Sequence, residues 1–387
     1  MTGATYHSFR RSNDRGTLRT AALLTLLLLS FHDVARAQGT PAGFDDLASS
    51  ATSAREQNDI PRAINLYRQA VAVNPKWPDG WWFLGLLQYG SDAYPAARDA
   101  FTHYIDLTPS AGPATALRGL CEYEIGDYPE ALADLQKGLS LGAANQPRNA
   151  QILYFHEAML LAKAGRFEDA LGVYATLAAK AEPNPEMLAA LGLAGLRKAL
   201  LPREIDPGQR DLFLAAGNAA FLFMAGHDTE SPTAFHDLFS RFPTAANAHL
   251  LYGYLLFARD PDLAVAEFKR ELEVSPSNGT AHALLAWAAL MNDSPAEALP
   301  NAQKAAVEQP NVATAQLVLG RSLVGTGDLK SGLIHLETAL RLEPDNLETH
   351  LALAHAYATA GREKDARRER LECLRRTGEE AQQVARP

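Results

Sequence analysis

"WWFLGLLQYGSDAYPAARDAFTHYIDLTP", Trp81 to Pro109, reads as two helices joined by a short turn. Trp81, Leu84 and Gly85 recur at spacings of three and four, the signature of one helix face. Ala97 and Phe101, four residues apart, mark the buried face of a second helix. Gly90 falls near the end of the first helix and Pro109 stops the second, because proline lacks the N–H that a further turn needs. The paired tryptophans pose a problem of geometry. Neighbouring side chains on a helix point about 100° apart, so a single core face cannot hold both Trp81 and Trp82.

The same spacing repeats along the chain. Pro75 and Pro109 are 34 apart, as are Pro276, Pro310 and Pro344. A column of small residues shares the period: Ala63, Ala97 and Ala131, then Ala264, Ala298, Gly332 and Ala366. Four residues beyond many of these stand large ones: Tyr67, Phe101, Leu135, Phe268 and Leu336, with Tyr174 after Ala170. Three columns on one period mark a repeat architecture.

The pattern resembles the tetratricopeptide repeat, a helix–turn–helix unit, and residues 78–111 match it best through Trp81, Leu84, Gly85, Ala97, Phe101 and Pro109. The resemblance implies an all-α, right-handed superhelical solenoid of antiparallel helix pairs. Repeats fall at 44–77, 78–111, 112–145, 151–184, 245–278, 279–312, 313–346 and 347–377. Between Ala170 and Ala264 the period breaks, and one degenerate repeat plus one added helix would fill the gap. "PEMLAALGLAGLRKALLP" is expected to be the added helix. "RDLFLAAGNAAFLFMAG" and "TAFHDLFSRFP" are expected to form the degenerate pair. The expected organisation is therefore a block at 44–184, an irregular joint at 185–244 and a second block at 245–377. Arg370, standing where other repeats carry an aromatic or leucine, marks a solvating cap, and residues 378–387 are expected to be disordered.

Ahead of the repeats lies an export signal. Arg10, Arg11, Arg15 and Arg19 precede the apolar run Ala21–Phe31, and Ala35-Arg36-Ala37 is a small-residue cleavage site. The run is too short to span a bilayer, which takes about 20 residues. The reading is a signal peptide over 1–37, a mature chain from Gln38 with a flexible linker at 38–43 and no membrane span, and a periplasmic or extracellular location. Removing 1–37 takes five Arg and two Asp from 36 basic and 45 acidic residues, moving the net charge from −9 to −12. Such a surface repels phosphate backbones and excludes nucleic acid as a partner. Cys121 and Cys373 are too far apart in an extended array to pair and read as small buried thiols rather than a redox centre.

Motifs of chemistry fail on context. "GLSLG" (Gly138–Gly142) satisfies G-x-S-x-G, but a nucleophile elbow needs a strand before Ser140, and the chain reads as all-helical. His249, His282, His335, His350 and His355 include no i,i+4 pair and no cysteine partner, so no zinc motif forms. "GTGDLKSG" lacks the Lys-Ser/Thr of a phosphate loop. No catalytic, metal or cofactor site is expected.

In the family that the chain resembles, first helices line a concave wall, with repeat positions 2, 5, 9, 12 and 13 facing inward. That assigns Trp81, position 4, to the core and Trp82, position 5, to the wall. The same columns add Leu86, Tyr89, Leu120, Tyr123, Ile152, Phe155 and Met159, then Trp287, Leu290 and Met291, with Arg321 and His355 beyond. An apolar, aromatic wall of this kind marks a surface for a protein or peptide partner. The same side chains have two other uses open to them: burial within the molecule, or a seam between copies. The functional reading is a non-enzymatic interaction scaffold of the cell envelope that binds apolar or aromatic segments. A self-assembling envelope component and a non-catalytic subunit of an enzyme complex are the alternatives.

Overall fold

Turns built on a left-handed residue recur every 34 positions and set the architecture. Asn58, Asp92 and Gly126, then Asp293, Gly327 and Gly361, all have φ between 52° and 100°. Each closes the tight link between the two helices of a pair, a conformation open to glycine at no cost and to Asn or Asp at little. The computed structural model describes residues 43–145, 147–180 and 182–384. The proposed signal segment 1–37 and linker residues 38–42 lie outside them.

Among the described residues there are nineteen α-helices and no strand. The chain is all-α, as expected. It divides into two compact units, one running to Glu182 with Ala199–Leu201, the other taking Pro183–Lys198 and everything from Pro202.

The first unit holds four helix pairs: α1 (Phe44–Glu56) with α2 (Ile60–Val73), α3 (Pro78–Tyr89) with α4 (Tyr94–Leu107), α5 (Gly112–Ile125) with α6 (Tyr128–Ser140), and α7 (Pro147–Lys163) with α8 (Phe167–Ala178). The second holds α9 (Pro185–Gly195), α10 (Arg210–Met224) and α11 (Glu230–Arg241). Four pairs come after these: α12 (Ala248–Leu256) with α13 (Pro261–Val274), α14 (Gly279–Met291) with α15 (Pro295–Glu308), α16 (Ala313–Gly325) with α17 (Leu329–Leu342), and α18 (Leu347–Thr359) with α19 (Glu363–Val384).

Capping follows the period too. Asp59, Asp260 and Asp328 accept a backbone N–H at the start of second helices, and Asn278 and Asn346 do so for first helices. Each such cap contributes about 1 kcal/mol. The columns read from the sequence are the core. Ala63, Ala97, Ala131, Ala170, Ala264 and Ala366 are fully buried, as are Tyr67, Phe101, Leu135, Tyr174 and Phe268. Gly85 lies so close to the Phe101 ring that a Cβ there would come within 2.7 Å of it. That approach is what lets α3 and α4 pack.

The middle segment differs from its reading. The added helix ends at Gly195, and residues 196–209 carry only two single 3₁₀ turns, Pro202–Glu204 and Pro207–Gln209. The tight pair is α9 with α10, not α10 with α11. Gly192 and Gly217 bring their backbones together, and a Cβ on either would overlap a carbonyl oxygen, of Phe213 or Leu188. Helix α11 instead sends aromatics toward α12, with Phe235 stacked on Tyr252 at 4.1 Å and Phe239 on His249 at 3.9 Å. At the C-terminal end Arg370 is exposed, and α19 continues to Val384, into the stretch expected to be disordered. Residues 385–387 lie outside the described set.

The histidines have partners with a period of their own. At position 4 of four repeats, the last three of them consecutive, Trp81 Nε1, His282 Nε2, Gln316 Nε2 and His350 Nε2 each reach the carbonyl of the proline six residues earlier, at 2.8–3.0 Å. In the last three repeats the same side chain also meets a residue nineteen positions on, in its own second helix. The pairs are His282 with Asn301, Gln316 with His335 and His350 with Glu369. Each position-4 residue thus latches the preceding turn to both helices of its repeat.

Candidate functional site

Of the residues assigned to the inner wall, those in the first unit are mostly enclosed. Trp82 is 6% exposed, packed against Phe101 and Tyr104 of α4, with ring centroids at 5.9 and 5.3 Å. Leu86, Leu120, Tyr123 and Met159 are buried as well. Tyr89, Ile152 and Phe155 are half-buried.

Trp81 packs against the core as expected, but Trp82 is enclosed instead of facing an open wall. Trp81 is only half-buried, stacked on His103 at 4.2 Å, while Trp82 fills the layer between the helices. The cause is that α3 and α5 are apolar on more than one face. The run Leu84–Gln88 is buried without a break, as is Gly119–Tyr123. A helix wrapped on all sides presents no open wall. A small cavity of about 20 Å³ survives between α5 and α7 beside Leu120 and Ile152, room for roughly one water.

The second unit is different. A cavity of about 300 Å³ opens where α14, α16 and α18 lie side by side, at the lower end of the range for ligand sites. Its lining comes from the inward columns of three successive repeats: Leu290 of α14, Arg321, Val324 and Gly325 of α16, and Glu348, Leu351 and His355 of α18. Leu336 of α17 forms part of the lining, and Asp293, from the turn after α14, and Pro295, the first residue of α15, complete one side. Leu351 is 52% exposed, and Met291, next to Leu290, 65%.

Arg321 is held in place at this site. Its guanidinium lies 5.1 Å from the centre of the half-buried Trp287 ring and 3.8 Å from a Glu348 carboxylate oxygen. Leu290, Arg321 and His355 are brought together as the columns implied. Asp293, Glu348 and Leu351 were missed by the sequence reading. Glu348 and Leu351 occupy positions 2 and 5 of the last repeat, so following the columns through 347–377 would have found them. Asp293 belongs to a turn, where no column applies.

The remaining motifs have structural roles. Ser140 ends α6, and its hydroxyl donates to the Lys137 carbonyl at 2.8 Å. Cys121 and Cys373 are both buried, and burial pushes each thiol up from its ordinary range. In α5, Arg118 forms a two-bond pair with Asp134, and Glu122 lies beside it, 3.9 Å from Arg118. Burial, helped by the charge of Asp134, pushes the Glu122 carboxyl up to about 7. Among the described residues, no helix is long and apolar enough to cross a membrane.

Compared with known proteins, the chain matches the family described as tetratricopeptide repeat at residues 49–112, 155–219, 254–313 and 317–372. No curated protein sequence matches it significantly. Among solved structures it is similar to MamA (residues 41 to the end) from Desulfovibrio magneticus RS-1, at 18% identity, 43% of this chain, 96% of that one and a TM-score of 0.38. YrrB, whose structure is described as a TPR protein with an unusual peptide-binding site, aligns at 17% identity over 44% of this chain and 89% of its own, with a TM-score of 0.37. Yeast Tom70 aligns over 88% of this chain and 94% of its own, at 12% identity and a TM-score of 0.32.

Proposed function

The chain belongs to the tetratricopeptide repeat family, and from that premise we propose that it is an exported interaction scaffold whose binding site is the cavity of the second unit. Repeats of this family serve protein–protein interaction. The finer reading is that a peptide segment of a partner lies across the first helices of the last three repeats. One observation carries it. Three consecutive inward columns meet in one cavity, with Leu351 and Met291 left exposed at and beside it. Exposed apolar side chains grouped around a concavity mark an interaction site, whereas the enclosed wall of the first unit offers no such surface.

The envelope location rests on the sequence alone, on the Arg-rich start, the apolar run and the Ala35-Arg36-Ala37 site. N-terminal sequencing of protein recovered from the native cell tests it. A start at Gln38 is the expected result, and retention of Met1 refutes export with cleavage. The binding reading is tested by crosslinking in the cell with a photoreactive residue at position 351 or 291, against one at the exposed position Val307 of α15. Adducts confined to 351 and 291 are expected. Equal adducts at all three would refute the site. In purified protein, Leu351→Asp and Met291→Asp are expected to leave the melting temperature unchanged, because both side chains are mostly in solvent.

A further inference from the structure

We infer that the cavity between α14, α16 and α18 takes a basic side chain, arginine or lysine, from a protein segment whose neighbouring residues are aliphatic. This rests on the reading of the cavity as the binding site and adds the chemistry of what enters it.

The charge balance points to a cation. Four ionisable side chains line the cavity: Asp293, Arg321, Glu348 and His355. The positive charge of Arg321 is already answered twice, by Glu348 at 3.8 Å and by the face of Trp287. Asp293 has no ion-pair partner among the described residues. The two carboxylates of the lining, Asp293 and Glu348, outnumber its one guanidinium, Arg321, in a chain that is itself acidic.

The concave, partly apolar setting strengthens that charge, because neighbouring side chains displace water that would otherwise screen it. An incoming carboxylate would face Asp293 and Glu348, with only an already paired arginine to meet it. A wholly apolar side chain would bury Asp293 without a partner, which costs free energy. A long basic side chain satisfies both demands. Its methylene stem lies along Leu290 and Leu351 while its head meets the carboxylates. The exposed Met291 and Leu351 then cover the aliphatic neighbours of that residue.

The test uses three acetylated, amidated peptides, Gly-Ser-Leu-Xaa-Leu-Ser-Gly, with arginine, norleucine or glutamate at Xaa. Each is titrated against the purified protein by calorimetry or NMR. The arginine peptide is expected to bind about tenfold or more tighter than the glutamate peptide, the reach of one uncompensated charge at a partly screened site. Asp293→Asn and Glu348→Gln are each expected to shrink that preference about threefold and to leave the norleucine peptide unchanged. These positions are exposed, so folding is not at stake. Equal binding of all three peptides, or a preference for glutamate, overturns the inference while leaving the cavity as the site, provided that the uncharged Leu351→Asn weakens them all. No binding by any peptide, or binding indifferent to the uncharged Leu351→Asn, overturns the cavity reading and the inference together. A dimer that dissociates on Leu351→Asp would put a second copy in the cavity, and this also refutes a basic segment as its occupant.

Discussion

Replacing Trp82 by alanine should be among the most damaging single changes in the first unit. The ring is 6% exposed and packs between Phe101 and Tyr104. Truncating a buried aromatic costs about 3–5 kcal/mol, because transfer free energy is lost and a cavity stays behind. The two aromatic contacts keep the figure away from the low end. Trp81 is the control. Its ring is half in solvent, and its Nε1–H donates to the Pro75 carbonyl at 2.8 Å. Trp81→Phe keeps the stacking on His103 and removes that bond, at about 1 kcal/mol. For a unit of this size 1 kcal/mol moves the melting temperature by about 2–4 °C. Trp82→Ala should therefore lower it by at least about 6 °C, and Trp81→Phe by about 3 °C. Thermal and urea unfolding, followed by tryptophan fluorescence and circular dichroism, measure both. A Trp82→Ala protein that melts within about 2 °C of the parent would refute the burial of that ring and restore it to an open wall.

Glu122 gives a pH test with a defined sign. Its carboxyl is raised from 4.5 to about 7 in the folded chain, so the folded state holds its proton more tightly than the unfolded one. Its contribution is fully present below about pH 4.5 and is lost as pH rises through about 7. Relative to the parent, Glu122→Gln should gain stability between pH 5 and 8, by at most about 3 kcal/mol. A constant difference across that range would contradict the burial of the charge. His350→Ala leaves the Pro344 carbonyl without its donor and should cost about 2–3 kcal/mol by urea unfolding. His350→Gln should cost much less, since Gln316 already makes the equivalent bond one repeat earlier. Equal losses would refute the latch. Ala97→Leu overfills a fully buried contact and should cost about 1–3 kcal/mol, and an unchanged melt would refute the repeat register.

The fold was legible because its determinants are periodic. The alanine column, the aromatic column and the proline column each report one contact that recurs every 34 residues, and each lies where the pattern puts it. The wall was less legible, because a column gives the direction in which a side chain points and not what stands opposite. Trp82 follows its column off the Trp81 face, yet Phe101 and Tyr104 close over it. In the last three repeats the same rule led to Arg321 and His355, where the inner side stays open. The pairing of α9 with α10 was hidden because Gly192 and Gly217 look like weak points of a helix until the close crossing is seen. The latch was present in the sequence as His282, Gln316 and His350 at the repeat interval. It was missed because histidines were compared at metal-ligand spacing rather than at 34.

That latch also determines where cooperativity along the repeats is strong. In a linear array, neighbours hold one another only through their shared interface, so unfolding spreads until it meets a weak seam. The position-4 bonds to Pro276, Pro310 and Pro344 fasten consecutive seams in the second unit, and Trp81 does so at Pro75. At the next seam of the first unit the column holds Thr115, whose hydroxyl turns back to the Ala111 carbonyl of its own helix start. Arg98 and Asp127 form a partly exposed ion pair across that seam at 3.5 Å, which contributes little beside the packing of the helices. The seam between α4 and α5 is thus held by close helix packing without a latch, whereas the seams of the last three repeats carry both. When the last latch is removed by His350→Ala, hydrogen exchange should divide at that seam, with the amides of α18 and α19 opening as a group separate from those of α16 and α17.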